Sequence, residues 1–319
     1  MNTAAKLSAY GAALALVAAG AWAAGTAVGP LPGASASSGH TGTTGGEDTG
    51  HGDAHSGTVA EGARTDLPGG LASSRGGYTL TPTSTTLSTG TDQPFSFRVL
   101  GQDGAPVTGF EVEHDKRMHL IVVRRDTAGF QHVHPDMAAD GTWSVPLTLT
   151  EAGTYRVFAD FTPTGGSATT LGTDIFVAGQ FTPRSYPSSR VAEVDGYQVR
   201  LTGDLVAGTA SPLRLSVTRD GQPVTDLQPY LAAYGHLVAL RLGDLAYLHV
   251  HPDGAPGDGR TPAGPDVDFV AEVPTAGGYR LFLDFQHAGA VHTAEFTVDA
   301  TTGTPTGPAG VESTGHGHG

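Results

Sequence analysis

The pentapeptide His132-Val133-His134-Pro135-Asp136 recurs unchanged as His249-Val250-His251-Pro252-Asp253, at an offset of 117. At the same offset, residues 103–136 align without a gap with residues 220–253, and thirteen of the 34 positions are identical. Further along, residues 152–161 match residues 276–285 at an offset of 124. Self-similarity of this kind indicates an internal duplication, which must be recognised before a fold is assigned.

The change of offset means that the second copy has gained seven residues. They lie in the run 253–265, which is rich in Gly and Pro. A surface loop can lengthen at little cost in free energy. The insertion therefore does not disturb the predicted repeat.

Each copy is about one ordinary domain in length, with short apolar segments separated by turn residues. That spacing predicts an all-β fold of two tandem immunoglobulin-like β-sandwich domains. Asp195-Gly196, between two alternating segments, predicts a hairpin that opens the second copy. The predicted strands of the first copy include 95–99, 119–125, 142–149, 155–161 and 175–177.

The full chain of 319 residues divides into five predicted segments. Residues 1–29 form a signal peptide or membrane anchor, because no charge follows Lys6 in that segment and Ala21-Trp22-Ala23 fits a cleavage site. Both alternatives place the remainder outside the cytoplasm, secreted or held at the membrane. The other segments are a disordered linker (30–72), repeat one (73–179), repeat two (186–299) and a disordered tail (300–319).

Composition excludes several classes of function. The chain has 31 acidic and 17 basic residues, a net charge of −14, so nucleic acid is not an expected partner whereas cations are. It has no cysteine, which excludes disulfides and thiolate metal sites. A transition metal must therefore be bound by His, Met or carboxylate side chains.

Each copy carries three histidines with the same spacing. They are His119, His132 and His134 in repeat one, and His236, His249 and His251 in repeat two. Residues i and i+2 of a strand share a face, and a hairpin turn at 126–129 would set His119 diagonally beside His134. Three converging imidazoles favour a copper or zinc ion with one position left for another ligand. The alternative is half-buried histidines bonded to the backbone.

Two further pairs are candidate ligands. Asp160 and Asp284 occupy matched positions and are candidates for the fourth ligand, or else simply end their strands. Met118 and Met137 would favour Cu(I) in repeat one, whereas repeat two has glycine at both positions. The flanking segments add scattered histidines that can bind metal loosely: His40, His51, His55, His316 and His318.

The segment from His119 to Pro135, with its HLIVVRRD and FQHVHP sequences, resembles a recurrent motif of secreted or membrane-anchored bacterial proteins. These are tandem Ig-like proteins similar to the YtkA-like group, especially from actinobacteria (high-GC Gram-positive bacteria). The resemblance covers residues 77–299, although repeat two has a different turn. It implies the fold and the extracytoplasmic location, and a role in copper or heavy-metal handling.

The predicted function is an extracytoplasmic metal-binding protein for copper or zinc that sequesters the metal or hands it over. The alternative is a structural or adhesive Ig-like tandem whose histidines are incidental. No nucleophile elbow, phosphate loop or His-Glu-x-x-His helix is present, so the chain is not expected to be an enzyme, with metal-dependent catalysis left open. The sequence identifies no protein partner.

Overall fold

The computed structural model describes residues 68–304, which belong to one compact unit beginning at Arg64. All the regular elements in this range are β-strands, and it contains no helix long and apolar enough to cross a membrane. The predicted all-β fold with two tandem sandwich domains is confirmed. The predicted segment 1–29, and most of the predicted linker and tail, lie outside the described residues.

Repeat one forms two five-stranded sheets, in the order β1-β2-β4-β8-β7 and β3-β10-β9-β5-β6. Its strands are β1 (Ser74–Arg75), β2 (Tyr78–Pro82), β3 (Thr86–Leu87), β4 (Gly90–Leu100), β5 (His119–Arg124), β6 (Gln131–Val133), β7 (Asp136–Met137), β8 (Trp143–Leu149), β9 (Gly153–Phe161) and β10 (Thr169–Val177).

Repeat two forms one continuous sheet in the order β11-β12-β13-β17-β16-β15-β18-β19, with β14 paired to β13. Its strands are β11 (Val191–Val194), β12 (Tyr197–Thr202), β13 (Ala210–Arg219), β14 (Gln222–Pro223), β15 (His236–Arg241), β16 (Tyr247–Pro252), β17 (Asp266–Glu272), β18 (Gly277–His287) and β19 (Ala290–Ala300). The hairpin predicted at Asp195-Gly196 joins β11 to β12, with both turn residues at positive φ.

Each repeat has its own apolar core. The core of repeat one is built around Trp143, Phe97 and Phe110, and that of repeat two around Phe269, Phe285 and Phe296. Strands with one solvated face alternate in burial: in β8, Trp143, Leu147 and Leu149 are buried and the residues between them are more exposed. The two cores are separate clusters, so each copy has its own apolar interior.

Strands β5 and β15 are instead buried on both faces. Leu120 and Val122 point into the core of repeat one, whereas Ile121 and Val123 point the other way. These outward residues join a third apolar cluster between the repeats, which we call the inter-repeat cluster. Its members are Ile121, Val123, Phe158, Val238, Leu240, Leu245, Tyr247 and Phe282, with Phe130 packed against them.

The inter-repeat cluster is close to two-fold symmetric. Phe130 stacks on Phe282 at 4.0 Å between ring centroids, and Tyr247 packs on Phe158 at 5.4 Å. Phe130 and Tyr247 are matched in the duplication, as are Phe158 and Phe282. Each repeat thus presents the same face to the other, as the subunits of a symmetric dimer do.

The segment that enters repeat one lies across this junction. Tyr247 N–H donates to the Gly69 carbonyl (3.0 Å), and Gly70 N–H donates to the Thr170 carbonyl (3.0 Å). Gly70 has φ +72°, and a Cβ there would lie 2.4 Å from the Phe158 ring. The segment therefore bonds to both repeats, and glycine is required for its close approach.

Candidate metal centre

The β5–β6 hairpin brings the first three histidines together, with a register different from the predicted one. The predicted turn at 126–129 would pair Ile121 with His134, whereas the structure pairs Ile121 with His132. The turn is wider because it starts at Arg124, whose guanidinium binds the Asp126 carboxylate through two hydrogen bonds of 2.8 Å. The register shifts by two residues, and an even shift leaves every side chain on its predicted face.

His119, His132 and His134 form a compact cluster whose ligand nitrogens all lie within 4.8 Å of one another. His119 Nδ1 is 3.0 Å from His132 Nε2 and 3.3 Å from His134 Nε2. His119 is buried, and the other two are half-buried at the junction of the repeats. The sequence-predicted cluster of repeat one therefore exists as a single group of converging imidazoles.

Outer partners fix the tautomers of two of these rings. His119 Nε2–H donates to the Glu113 carbonyl at 3.1 Å, and His132 Nδ1–H donates to Asp284 Oδ2 at 2.9 Å. A carbonyl and an ionised carboxylate only accept hydrogen bonds, so in each neutral ring the proton is on the outer nitrogen. The inner nitrogens, His119 Nδ1 and His132 Nε2, are then both unprotonated.

In neutral rings, two unprotonated nitrogens 3.0 Å apart repel each other unless a proton or a metal cation lies between them. Zinc–imidazole bonds of about 2.0–2.1 Å put neighbouring nitrogens of a tetrahedral site roughly 3.3 Å apart. Two of the three nitrogen separations, 3.0 and 3.3 Å, are close to that edge length, and all three are within 4.8 Å. The donor set and its spacing therefore fit a metal ion.

Electrostatics favour neutral rings at this position. Burial, followed by the neighbouring His132 and His119, lowers the pKa of His134 from 6.5 to about 2. Burial also lowers the pKa of His236 to about 4, partly opposed by its hydrogen bond to the Tyr230 carbonyl. Neutral imidazole is the form that binds metal, so protons compete weakly with a metal here.

One histidine of the second set, His236, lies beside the first set. His236 belongs to repeat two, yet its ring centroid is 6.2 Å from that of His132 and 5.4 Å from that of His114. The backbone register repeats as well, because Val238 pairs with His249 as Ile121 pairs with His132. The side chains of His249 and His251 lie outside the described part of the structure, so their role stays a prediction.

The additional candidate ligands are placed elsewhere. Asp284 bonds the outer nitrogen of His132 and so does not face the cluster, whereas Asp160 accepts from Thr170 Oγ1 (2.7 Å) and Tyr247 OH (3.2 Å). Met118 is buried in the core of repeat one, because it precedes His119 and points to the opposite face; Met137 packs against the same core. The three-His group therefore has nitrogen ligands only.

A small cavity of about 10 Å³ lies between the first histidine set and repeat two. A cavity of roughly 10–15 Å³ holds about one water molecule. Leu237, Val238 and Val250 form its apolar wall, next to His119, His132 and His236. The space suits one small ligand in the fourth position of a metal site.

The sequence did not predict that His236 of repeat two lies beside the first set, across a face shared by the two repeats. One signal was available: residues 120–123 and 237–240 are continuous apolar runs without the alternation of a half-solvated strand. His287 and His292, which occur only in repeat two, lie instead beside Tyr197, bonded to its hydroxyl and to Asp195 respectively. A separate open cleft of about 390 Å³ adjoins that region and includes none of the predicted ligands.

The chain matches the model of a known protein family. The model of the family described as Domain of unknown function (DUF8832) matches twice, over residues 72–178 and 192–302. The chain belongs to this family, and the predicted tandem repeat is confirmed. The expected resemblance to YtkA-like actinobacterial proteins stays a prediction.

Several solved structures are similar to this chain at low identity. They include the Yersinia pseudotuberculosis adhesin InvE (13% identity, 69% of this chain, 58% of that chain, TM-score 0.21), InvD of the same organism (12%, 72%, 59%, 0.24) and a putative membrane anchored protein from Corynebacterium diphtheriae (10%, 75%, 61%, 0.22). The chain spans less than two thirds of each of these chains. At these values the matches carry no argument about function. The curated proteins contain no match.

Proposed function

We propose that this protein binds a transition metal ion, copper or zinc, through His119, His132 and His134 at the face that joins its two repeats. The observation that carries the proposal is the convergence of three imidazoles, with His119 Nδ1 3.0 Å from His132 Nε2 and 3.3 Å from His134 Nε2, while the outer nitrogens of His119 and His132 bond other groups. In neutral rings of these tautomers, a cation would remove the repulsion between the inner nitrogens of His119 and His132.

The ligand set narrows the choice of metal ion. With Met118 in the core, the described ligands are imidazole nitrogens, which suit Zn(II) and Cu(II) better than a thioether-bound Cu(I) site. A cavity of about 10 Å³ lies beside His119 and His132, large enough for one water molecule and too small for an organic substrate. We therefore infer binding and release of metal rather than catalysis.

The location proposed for this activity is outside the cytoplasm, secreted or anchored through residues 1–29. The support is the segment without charge from Leu7 to Gly29. Sequestration or handover of metal at the cell exterior follows from that location. A structural or adhesive tandem remains the competing function, and it predicts no stoichiometric metal binding.

The test is a titration of the full chain, purified without an affinity tag, with Zn(II) and Cu(II), together with metal analysis. We expect His132→Ala/His134→Ala to remove one tight site and leave one, and the further change His249→Ala/His251→Ala to leave weak binding by the terminal segments. The matched control is His287→Ala/His292→Ala, which removes the same number of histidines outside the cluster. Equal stoichiometry in the wild type and the quadruple variant would contradict the proposal.

A further inference from the structure

The metal site of repeat one includes a group from repeat two. The three ligands come from the β5–β6 hairpin and the residue that follows it, whereas the carboxylate that holds His132 belongs to β18. Both side chains are 5% exposed, so their hydrogen bond is shielded from water. The outer partner of a metal-bound histidine fixes its tautomer and increases its basicity.

Asp284 is itself held by repeat two. Its other oxygen, Oδ1, accepts from Thr293 Oγ1 at 2.6 Å, and its backbone pairs with His236. The carboxylate therefore meets His132 only when the faces of the two repeats are packed together. If the repeats separated, His132 would lose this partner, and the Asp284 carboxylate would keep Thr293 but lose its second donor.

We propose that a metal bound by His119, His132 and His134 locks the two repeats together, with Asp284 as the positioning residue that makes metal binding depend on their packing. This inference rests on the proposed function. By linkage, the factor by which packing raises metal affinity equals the factor by which metal stabilises packing. Loss of an outer partner of a metal ligand typically weakens binding about 10- to 100-fold, and the metal stabilises the packed state by the same factor.

The duplication offers a matched control. Asp160 is the counterpart of Asp284: each is buried, each accepts from a threonine of the neighbouring strand, and each pairs with the first histidine of its own repeat. Only the carboxylate of Asp284 bonds His132 in the described structure. Asp160→Asn removes an equivalent charge and leaves the His132 contact in place.

The experiment uses the full chain carrying His249→Ala/His251→Ala, so that tight Zn(II) binding reports the first set. In this background we expect Asp284→Ala to weaken Zn(II) affinity about 100-fold and Asp284→Asn, which keeps an acceptor without charge, about 10-fold. Asp160→Asn changes it less than about 3-fold. In the metal-free protein, nitrogen NMR of the histidine rings reports the tautomer, and we expect the Nδ1–H form of His132 to be lost with Asp284→Ala and retained with Asp284→Asn.

Hydrogen exchange tests the locking itself. Zn(II) should slow amide exchange in β15 and β18 of repeat two, although the ligands are in repeat one, and this protection should disappear with Asp284→Ala. If Asp284→Ala does not fold, the Zn(II) affinities of Asp284→Asn and Asp160→Asn are compared instead, and only Asp284→Asn should bind more weakly.

Equal affinities in the 284 and 160 variants, or protection confined to repeat one, would overturn the inference while leaving the proposed function intact. Absence of stoichiometric Zn(II) binding in the background protein would overturn both.

Discussion

The two copies of the pentapeptide have the same sequence and different strand pairing. In repeat one, β6 ends at Val133, and β7 pairs with β8 of the other sheet. In repeat two, β16 continues through Pro252 and pairs with both β15 and β17, so the two sheets become one. Identical residues thus support a broken strand in one place and a continuous strand in the other.

The difference follows from what comes after the pentapeptide. In repeat one a tight turn returns the chain at once, closed by Ala138 N–H donating to Thr142 O at 2.8 Å. In repeat two the run 253–265 separates the same strands. The pentapeptide therefore determines extended backbone, while the following connection determines the partner strands.

The largest effect should come from breaking the symmetric contact between the repeats. Phe282→Ala removes the ring stacked on Phe130, and Phe158→Ala removes its counterpart against Tyr247. Each buried ring should contribute about 3–5 kcal/mol to the free energy of unfolding, measured with urea. The symmetry predicts similar losses; a loss confined to one variant would show that the repeats use the shared face unequally.

Acid should destabilise the metal-free protein through both repeats. The folded-state pKa of His134 is about 2 and that of His236 about 4, below the ordinary 6.5, because burial disfavours the charged ring. Below pH 6.5 the unfolded chain therefore binds protons that the native state does not, and stability falls by about 1.4 kcal/mol per pH unit for each group. The loss ends near pH 4 for His236 and continues towards pH 2 for His134.

Urea unfolding in the presence of a chelator, at pH 7.5, 5.5 and 4.5, measures this dependence. His134→Gln and His236→Gln should each reduce the slope below pH 6.5 and leave the slope above pH 7 unchanged. An unchanged slope below pH 6.5 in both variants would show that these rings are not buried as neutral groups.

A smaller effect is expected at the segment that crosses the junction. Gly70→Ala places a Cβ 2.4 Å from the Phe158 ring at φ +72°, whereas Gly104→Ala, at φ +76°, meets no heavy atom within 4 Å. The control, Gly104→Ala, should lower the free energy of unfolding by about 1 kcal/mol through backbone strain alone. Gly70→Ala should lower it by about 1–3 kcal/mol more, because of the contact with the ring. Thermal unfolding compares them; equal losses would show that the segment moves away without cost.

The smallest effect should follow from shortening the loop of repeat two. Deleting residues 256–262 brings the connection after β16 closer to that of repeat one. Halving a flexible loop changes its closure free energy by only about 0.6 kcal/mol. A change of several kcal/mol in chemical denaturation would mean that the loop contributes specific contacts.

Much of this fold could be predicted from the chain. The duplication, the strands around Trp143 and Tyr155, and the Asp195-Gly196 hairpin all depend on local patterns that the structure retains. The common face of His119, His132 and His134 was predicted correctly although the register was not. A register shift of two residues leaves each side chain on the same face of the sheet. Met118 was misplaced as a candidate ligand because alternation sends it into the core.

The sequence by itself determined that two β-domains each carry three histidines at the same spacing, and that those of repeat one share a face, because duplication, alternation and turn residues act over short distances. Only the tertiary structure decided that the two faces pack against each other and that Asp284 of one repeat bonds His132 of the other. The apolar runs of β5 and β15 require cover on both faces without specifying what covers them. That choice depends on the complementary shapes of Phe130, Phe158, Tyr247 and Phe282, which come together only after both domains have folded.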